Sequence, residues 1–290
     1  MIRDKFTLTK TIQKDCSNDY IAICYPVEYK DKYQRENDVE MNFNKPASYL
    51  RLSYEFDDQL KTVKEIDLPD NYRFSPLPYI PLKNEQERSV IYLSGGSGGG
   101  KSFLINSIIT FYKKFFPKNP VYFITKNDWK SDRSLDKELY TFVNVEKFIE
   151  KYSSKEAIEE FLLTKDYNDS FFVFDDIGAS EKISKEADKT LWTIIDIILE
   201  NKRKAGISIA IISHVPTNYK KTALLIRETK NYIVFPENLQ VKSDRFLKSY
   251  LGLNTKQLHR IVENDYQNSK WVSIDVKKRC VLTQRAAYFL

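Results

Sequence analysis

Eight consecutive residues, Gly95-Gly-Ser-Gly-Gly-Gly-Lys101-Ser102, carry the clearest chemistry in this chain. The protein has only eight glycines, and five of them (Gly95, Gly96, Gly98, Gly99 and Gly100) fall within this run. A loop without Cβ atoms can turn its backbone N–H groups inward, and such a concave set of donors binds phosphate oxygens. The spacing Gly-x4-Gly-Lys-Ser matches the Walker A pattern. It predicts Lys101 at the β- and γ-phosphates and the Ser102 hydroxyl on Mg2+, with Ser97 and Phe103 beside the nucleotide.

A second constellation is Phe171-Phe-Val-Phe-Asp175-Asp176, four apolar residues ending in two carboxylates. A strand that ends in acid beside a phosphate loop suits metal binding, so Asp175 is expected to hold Mg2+ through water. Asp176 would then face the γ-phosphate and orient or deprotonate the attacking water. The wholly apolar run Ile207 to Ser213 is expected to lie next to that strand. Ser213 and His214 at its end are candidates for a group that reports the γ-phosphate, His214 being the one assigned a catalytic role. Two other matches are set aside. Asp175-Asp-Ile-Gly178 fits the switch motif of GTPases and Thr125-Lys-Asn-Asp128 fits their guanine-reading motif, but the two occur in the reverse of the GTPase order.

These groups need elements to position them. Ser89 to Ser94 is a short apolar run ahead of the glycines, and Lys101 to Phe116 carries Leu104, Ile105, Ile108, Phe111 and Phe115 at helical spacing before Pro117. Strands are predicted at Val121 to Thr125, Phe171 to Asp175, Ile207 to Ser213 and Tyr232 to Phe235. Helices are predicted at Glu146 to Leu163, broken at Ser153-Ser154, and along the face Leu191, Ile194, Ile195, Ile198 and Leu199. Apolar strands alternating with amphipathic helices predict a P-loop α/β fold, a mostly parallel sheet with helices on both faces. The tail reads as helices near Ser243 to Leu251 and Thr255 to Val262, then a strand at Trp271 to Val276. Residues 1–85 form an N-terminal extension, with short strands at Tyr20 to Val27 and Ser48 to Tyr54. In it, Ser75-Pro-Leu-Pro-Tyr-Ile-Pro81 reads as an extended linker, and residues 86–290 form the nucleotide-binding domain.

Composition sets the limits. At 290 residues, with 42% hydrophobic and 30% charged residues, the chain suits a globular protein with one large core and room for an appendage. A formal charge of +6 is compatible with a polyanionic partner, but a lysine-rich protein can also be merely basic. Cys16, Cys24 and Cys280 have no paired spacing, so neither a disulfide framework nor a zinc site is expected, and a reducing, intracellular compartment is the simpler reading. No run approaches the ~18 apolar residues of a membrane span, and no signal-peptide pattern is expected at the N-terminus.

Together these stretches resemble the viral DNA-packaging ATPases of the FtsK–HerA superfamily, found in large eukaryotic DNA viruses, virophages and Polinton-type elements. The resemblance covers roughly Arg88 to the C-terminus. It rests on the glycine loop, on Phe171 to Asp176, on Lys202-Arg-Lys-Ala-Gly-Ile-Ser-Ile-Ala-Ile-Ile-Ser-His214, on Val215-Pro-Thr-Asn218 and on Tyr232-Ile-Val-Phe-Pro236. It implies a RecA/FtsK-like core that hydrolyses ATP with Mg2+ in a homo-oligomeric ring and drives double-stranded DNA into a capsid, with capsid or portal-vertex proteins as partners. Localisation in host cytoplasm or viral factory, and possibly on the virion, would follow. It also implies an arginine acting on a neighbour's γ-phosphate. Arg203 matches that position, a C-terminal helix cation being the alternative reading, and Arg227 is the second choice. Lys220 and Lys221 are candidates for DNA phosphate contact, or for a solvated helix face. His214 stands where many members carry Gln, and residues 1–85 match no known pattern. A nucleotide-gated accessory protein of viral or mobile-element DNA replication or partition is the competing reading. A small P-loop kinase is a further one, and the arginine-rich lid it would need is not evident.

Overall fold

Alternation and continuity of apolar residues decide which strands are covered on one face and which on both. The computed structural model describes residues 3–28, 40–41, 48–54, 63–80, 88–176, 184–201, 205–214, 223–235, 247–249, 251–262, 269–275 and 277–290, and the statements below concern these. The N-terminal region supplies β1 (Arg3–Thr9), β2 (Tyr20–Glu28), β3 (Glu40–Met41), β4 (Ser48–Tyr54), β5 (Glu65–Asp67) and β6 (Tyr72–Pro76). Five of these make an antiparallel sheet in which β4 joins β1 to β2, and β2 also pairs with β3 and β6.

The rest of the chain alternates strands with helices. It runs β7 (Val90–Ser94), α1 (Lys101–Phe115), β8 (Val121–Thr125), β9 (Thr141–Asn144), α2 (Val145–Lys151), α3 (Lys155–Leu163), β10 (Phe171–Phe174), α4 (Lys185–Asn201), β11 (Ser208–Ser213), α5 (Ala223–Glu228) and β12 (Asn231–Val234). It closes with α6 (Thr255–Arg260), β13 (Val272–Asp275), β14 (Cys280–Thr283) and β15 (Ala286–Phe289). The large sheet has the order β5-β15-β14-β13-β12-β7-β11-β10-β8-β9. From β12 to β9 every pairing is parallel, and from β12 to β5 every pairing is antiparallel. Strands β7, β10 and β11 are buried at every residue, as continuous apolar runs covered on both faces must be.

Side chains alternate across the pleat into two cores. Tyr92, Phe172, Phe174, Ile209 and Ile211 face α2, α3 and α4, whose Phe148, Phe161, Ile195 and Ile198 close over them. Ile91, Leu93, Phe123, Val173 and Ile212 face the other way, onto Leu104, Ile105, Ile108 and Ile109 of α1. The second core continues into Phe6, Ile21, Leu50 and Phe74 of the N-terminal strands, so α1 lies between two sheets. Of the Ser75–Pro81 passage, expected as a linker, Pro81 lies outside the described residues and the first part is strand: Tyr72–Pro76 pairs with β2, and Leu77 and Ile80 pack with Phe111 of α1. Ser75 and Ser107 share a hydrogen bond of 2.8 Å between hydroxyls across this contact.

The C-terminal segment contains a helix and a strand within the predicted Thr255 to Val262 and Trp271 to Val276, and adds two strands to them. After α6 come three antiparallel strands, of which only β13 is legible in the sequence. Four-residue strands around a turn rich in Lys and Arg give little periodicity, and β14 and β15 are held by pairing with β13, with β5 and with each other. Arg285, between β14 and β15, pairs with Asp70, and Arg260 of α6 pairs with Glu65 of β5, so the C-terminal segment is also tied to the segment around β5. Among the described residues no helix is long and apolar enough to cross a membrane.

Candidate nucleotide-binding site

The glycine loop lies where β7 gives way to α1. Gly98 (φ 78°) and Gly100 (φ 95°) hold left-handed backbone that a side chain would strain. Gly95 is glycine for a different reason: a Cβ there would sit 2.5 Å from Cβ of Phe235, at the end of β12. The N-terminus of α1 has no side-chain cap, which leaves the N–H groups of its first turn open to an anion. The Lys101 ammonium reaches back into the loop and donates to the carbonyls of Gly95 (2.8 Å) and Gly96. Burial lowers its pKa, while Asp175 and Asp176 act in the opposite sense.

The acid pair directly follows β10. The acid-bearing strand is not the immediate neighbour of the phosphate-loop strand, because β11 lies between them. Two inter-strand spacings, roughly 10 Å, thus separate β7 from β10, a gap that suits a phosphate and a hydrated cation. As expected, the run ending in Ser213 lies directly beside the acid strand. Ser213 sits opposite Ser94 and accepts the Gly95 N–H at 3.1 Å, supporting the loop from below. His214, one residue on, faces the acids.

The two acids have different surroundings. Asp175 is tied to β8: its N–H donates to the Ile124 carbonyl at 2.9 Å, and its carboxylate accepts from the Thr125 hydroxyl at 3.0 Å. Burial raises the Asp175 pKa, and the neighbouring Asp176 adds to this. Hydrogen bonds from Thr125 and Asn127 and the charge of Lys101 oppose it. Asp176 has left-handed backbone (φ 57°), which turns its carboxylate toward β11. There His214 Nε2 lies 2.9 Å from one oxygen, and Lys126 Nζ lies 3.7 Å from the other.

A cleft of about 430 Å³ joins these groups. Ser97, Gly98, Gly100, Lys101, Ser102 and Phe103 line one wall, and Asp175, Asp176 and His214 line another. Gly95, Gly96 and Gly99 belong to the loop but not to the cleft surface. Phe103 is 40% exposed, at the mouth. Arg203 lies outside the described residues, as do Lys220 and Lys221. The described chain on either side of Arg203 ends with α4 at Asn201 and resumes at Ala205 before β11, at the opposite end of the sheet from the phosphate loop. Arg227 is on α5 beside Glu228, exposed and away from the cleft.

The remaining wall was missed by sequence reasoning. Thr125, Asn127, Trp129 and Ser134, from the connection after β8, close the cleft opposite the loop. The Thr125-Lys-Asn-Asp128 stretch, which matches a guanine-reading motif only in the wrong chain order, contributes Thr125, Asn127 and Asp128 to this wall. The better signal was a polar cluster just past the carboxyl end of a parallel strand, the edge at which such sheets bind ligands. Among the described residues no cluster of three His, Cys, Asp or Glu side chains forms a ready-made metal cage. A hydroxyl and a buried carboxylate facing one cleft are instead the sparse, hard oxygen set that suits Mg2+, which takes its other ligands from water and phosphate.

No protein-family model matches the chain. Over 199 residues it is 29% identical to an uncharacterised protein, V3, of Sputnik virophage, covering 68% of this chain and 75% of that one. The genome packaging NTPase B204 of Sulfolobus turreted icosahedral virus 2, solved with ATP-γS, superposes with a TM-score of 0.46 at 15% identity, over 69% of this chain and 97% of B204. The cytoplasmic domain of the type VII secretion ATPase EccC of Thermomonospora curvata gives 0.46 at 14% identity, over 78% of this chain and 28% of that one. Both superpositions are too loose to carry a role for any residue. The fold itself is clear from this chain: a glycine loop between strand and helix, and a parallel sheet whose central strands end in the acids and His214, are those of a P-loop NTPase of α/β architecture.

Proposed function

We propose that the chain is an ATP-hydrolysing motor that moves double-stranded viral DNA into a capsid. One observation carries the enzymatic part: Ser102 and the Asp175–Asp176 pair line one cleft across β11, with His214 beside Asp176. Phosphate oxygens would take the loop N–H groups, and Lys101 would exchange its two carbonyl partners for the β- and γ-phosphates. Ser102 and Asp175 would hold Mg2+, which supplies charge neutralisation at the phosphates. Asp176 accepts the proton of the attacking water, and His214 fixes the direction of its carboxylate.

The motor part rests on the motif resemblance described above, and the likeness to a virophage protein agrees with the kind of source it names. Arg203 would serve the nucleotide of an adjacent subunit in a ring, and Lys220 and Lys221 would meet DNA phosphates. Capsid or portal proteins would be the docking partners, in the host cytoplasm, a viral factory or the virion. The test is the ATPase rate with and without long duplex DNA, with oligomer mass measured in ATP. DNA-stimulated turnover by a ring, collapsing in Arg203→Ala, is expected. Slow turnover indifferent to DNA would overturn the motor in favour of a nucleotide-gated accessory protein.

A further inference from the structure

Thr125 is the last residue of β8 and is 2% exposed. Its strand pairs with β10, with Ile124 opposite Phe174, so Thr125 comes alongside Asp175. The Thr125 hydroxyl donates to Asp175 Oδ2 at 3.0 Å and accepts the N–H of Asn127 at 3.1 Å. A hydroxyl has one proton, and here the Asn127 N–H occupies an oxygen lone pair, which leaves that proton directed at the carboxylate. One oxygen of Asp175 is thereby fixed from behind, Asn127 is a second hydrogen-bond partner of the carboxylate, and the residue lines the cleft. The backbone N–H of Asp175 is held by the same strand, so both ends of the residue are oriented by β8.

We propose that Thr125 is a positioning residue for the metal: it sets the rotamer in which Asp175 presents a single oxygen to Mg2+. It also couples that carboxylate to the segment after β8 that walls the cleft. The inference rests on the NTPase reading and adds to it a residue that the Walker motifs do not include. Partners behind a metal-ligating group, when removed, typically weaken metal binding about 10- to 100-fold.

The test compares Thr125→Val, which keeps the shape and removes the hydroxyl, with Thr125→Ser, which keeps the hydroxyl. Binding of a fluorescent ATP analogue to the full chain is measured in EDTA and then during Mg2+ titration. For Thr125→Val the Mg2+ midpoint should rise about tenfold or more with the affinity in EDTA unchanged, and Thr125→Ser should restore the midpoint to near wild type. An unchanged midpoint in the valine variant, or a serine variant as impaired as the valine one, overturns the assignment. An equal loss of affinity in EDTA and in Mg2+ also overturns it, because the defect would then lie in the fold. Wild-type protein that binds the analogue with no Mg2+ dependence would instead overturn the NTPase reading beneath it.

Discussion

Replacing Gly95 with alanine would set a methyl carbon 2.5 Å from Cβ of Phe235. Carbon atoms rest at about 3.5–4.0 Å, so the two backbones would have to part by about 1 Å. They belong to paired strands: Val234 lies opposite Ser94, and the Phe235 N–H donates to the Ser94 carbonyl at 2.8 Å. A 1 Å separation would break that hydrogen bond. Overpacking of this kind costs about 1–3 kcal/mol, roughly a 5- to 150-fold loss in nucleotide affinity if the loop absorbs the strain. If β12 moves instead, the melting temperature should fall by several degrees. Calorimetric titration with a nonhydrolysable ATP analogue and thermal unfolding would separate these cases. The geometry makes a sharper demand on rescue. Because the clash is with Cβ itself, Phe235→Ala should not relieve Gly95→Ala, whereas Phe235→Gly should. Gly98→Ala, with no atom within 4 Å of its built Cβ, should be damaged through its φ of 78° alone and should not respond to either change at Phe235. Wild-type binding and melting in Gly95→Ala, or rescue by Phe235→Ala as complete as by Phe235→Gly, would refute this account of the loop.

Lys101→Ala should abolish nucleotide binding or turnover, read by the same titration and by phosphate release. Asp176→Asn should leave ATP binding within about twofold and lower hydrolysis by about 100-fold or more, the scale of a lost general base; equal rates would remove Asp176 from its role. Asp175→Asn should raise the melting temperature of nucleotide-free protein at pH 7 while destroying the Mg2+ dependence of turnover. The sign follows from burial: the raised pKa means the folded state binds a proton more readily than the unfolded chain, so wild-type stability falls as pH rises through the folded pKa. The stability gap between Asp175→Asn and wild type should therefore close as pH falls toward the ordinary aspartate value of 3.8, as followed by melting curves across pH.

Local chemistry made the phosphate loop, its flanking strand and helix, and the acid-ended strand readable in the chain. Five glycines before Lys-Ser leave few alternative structures, and apolar runs of four to six residues mark strands covered on both faces. Helix limits were also local: Pro117 follows α1, and the Asn144 and Ser154 side chains cap α2 and α3.

What the order of residues could not supply was which strands become neighbours. The insertion of β11 between β7 and β10, which brings His214 onto Asp176, is set by sheet pairing among near-identical apolar runs, and so is the arrival of Thr125 behind Asp175. Of the N-terminal strands, β2 and β4 are legible in the sequence, whereas β1, β3, β5 and β6, like β14 and β15, were hidden for a related reason. Their stability comes from burying α1 and from backbone pairing with distant segments, and neither leaves a periodic trace in a stretch of two to seven residues.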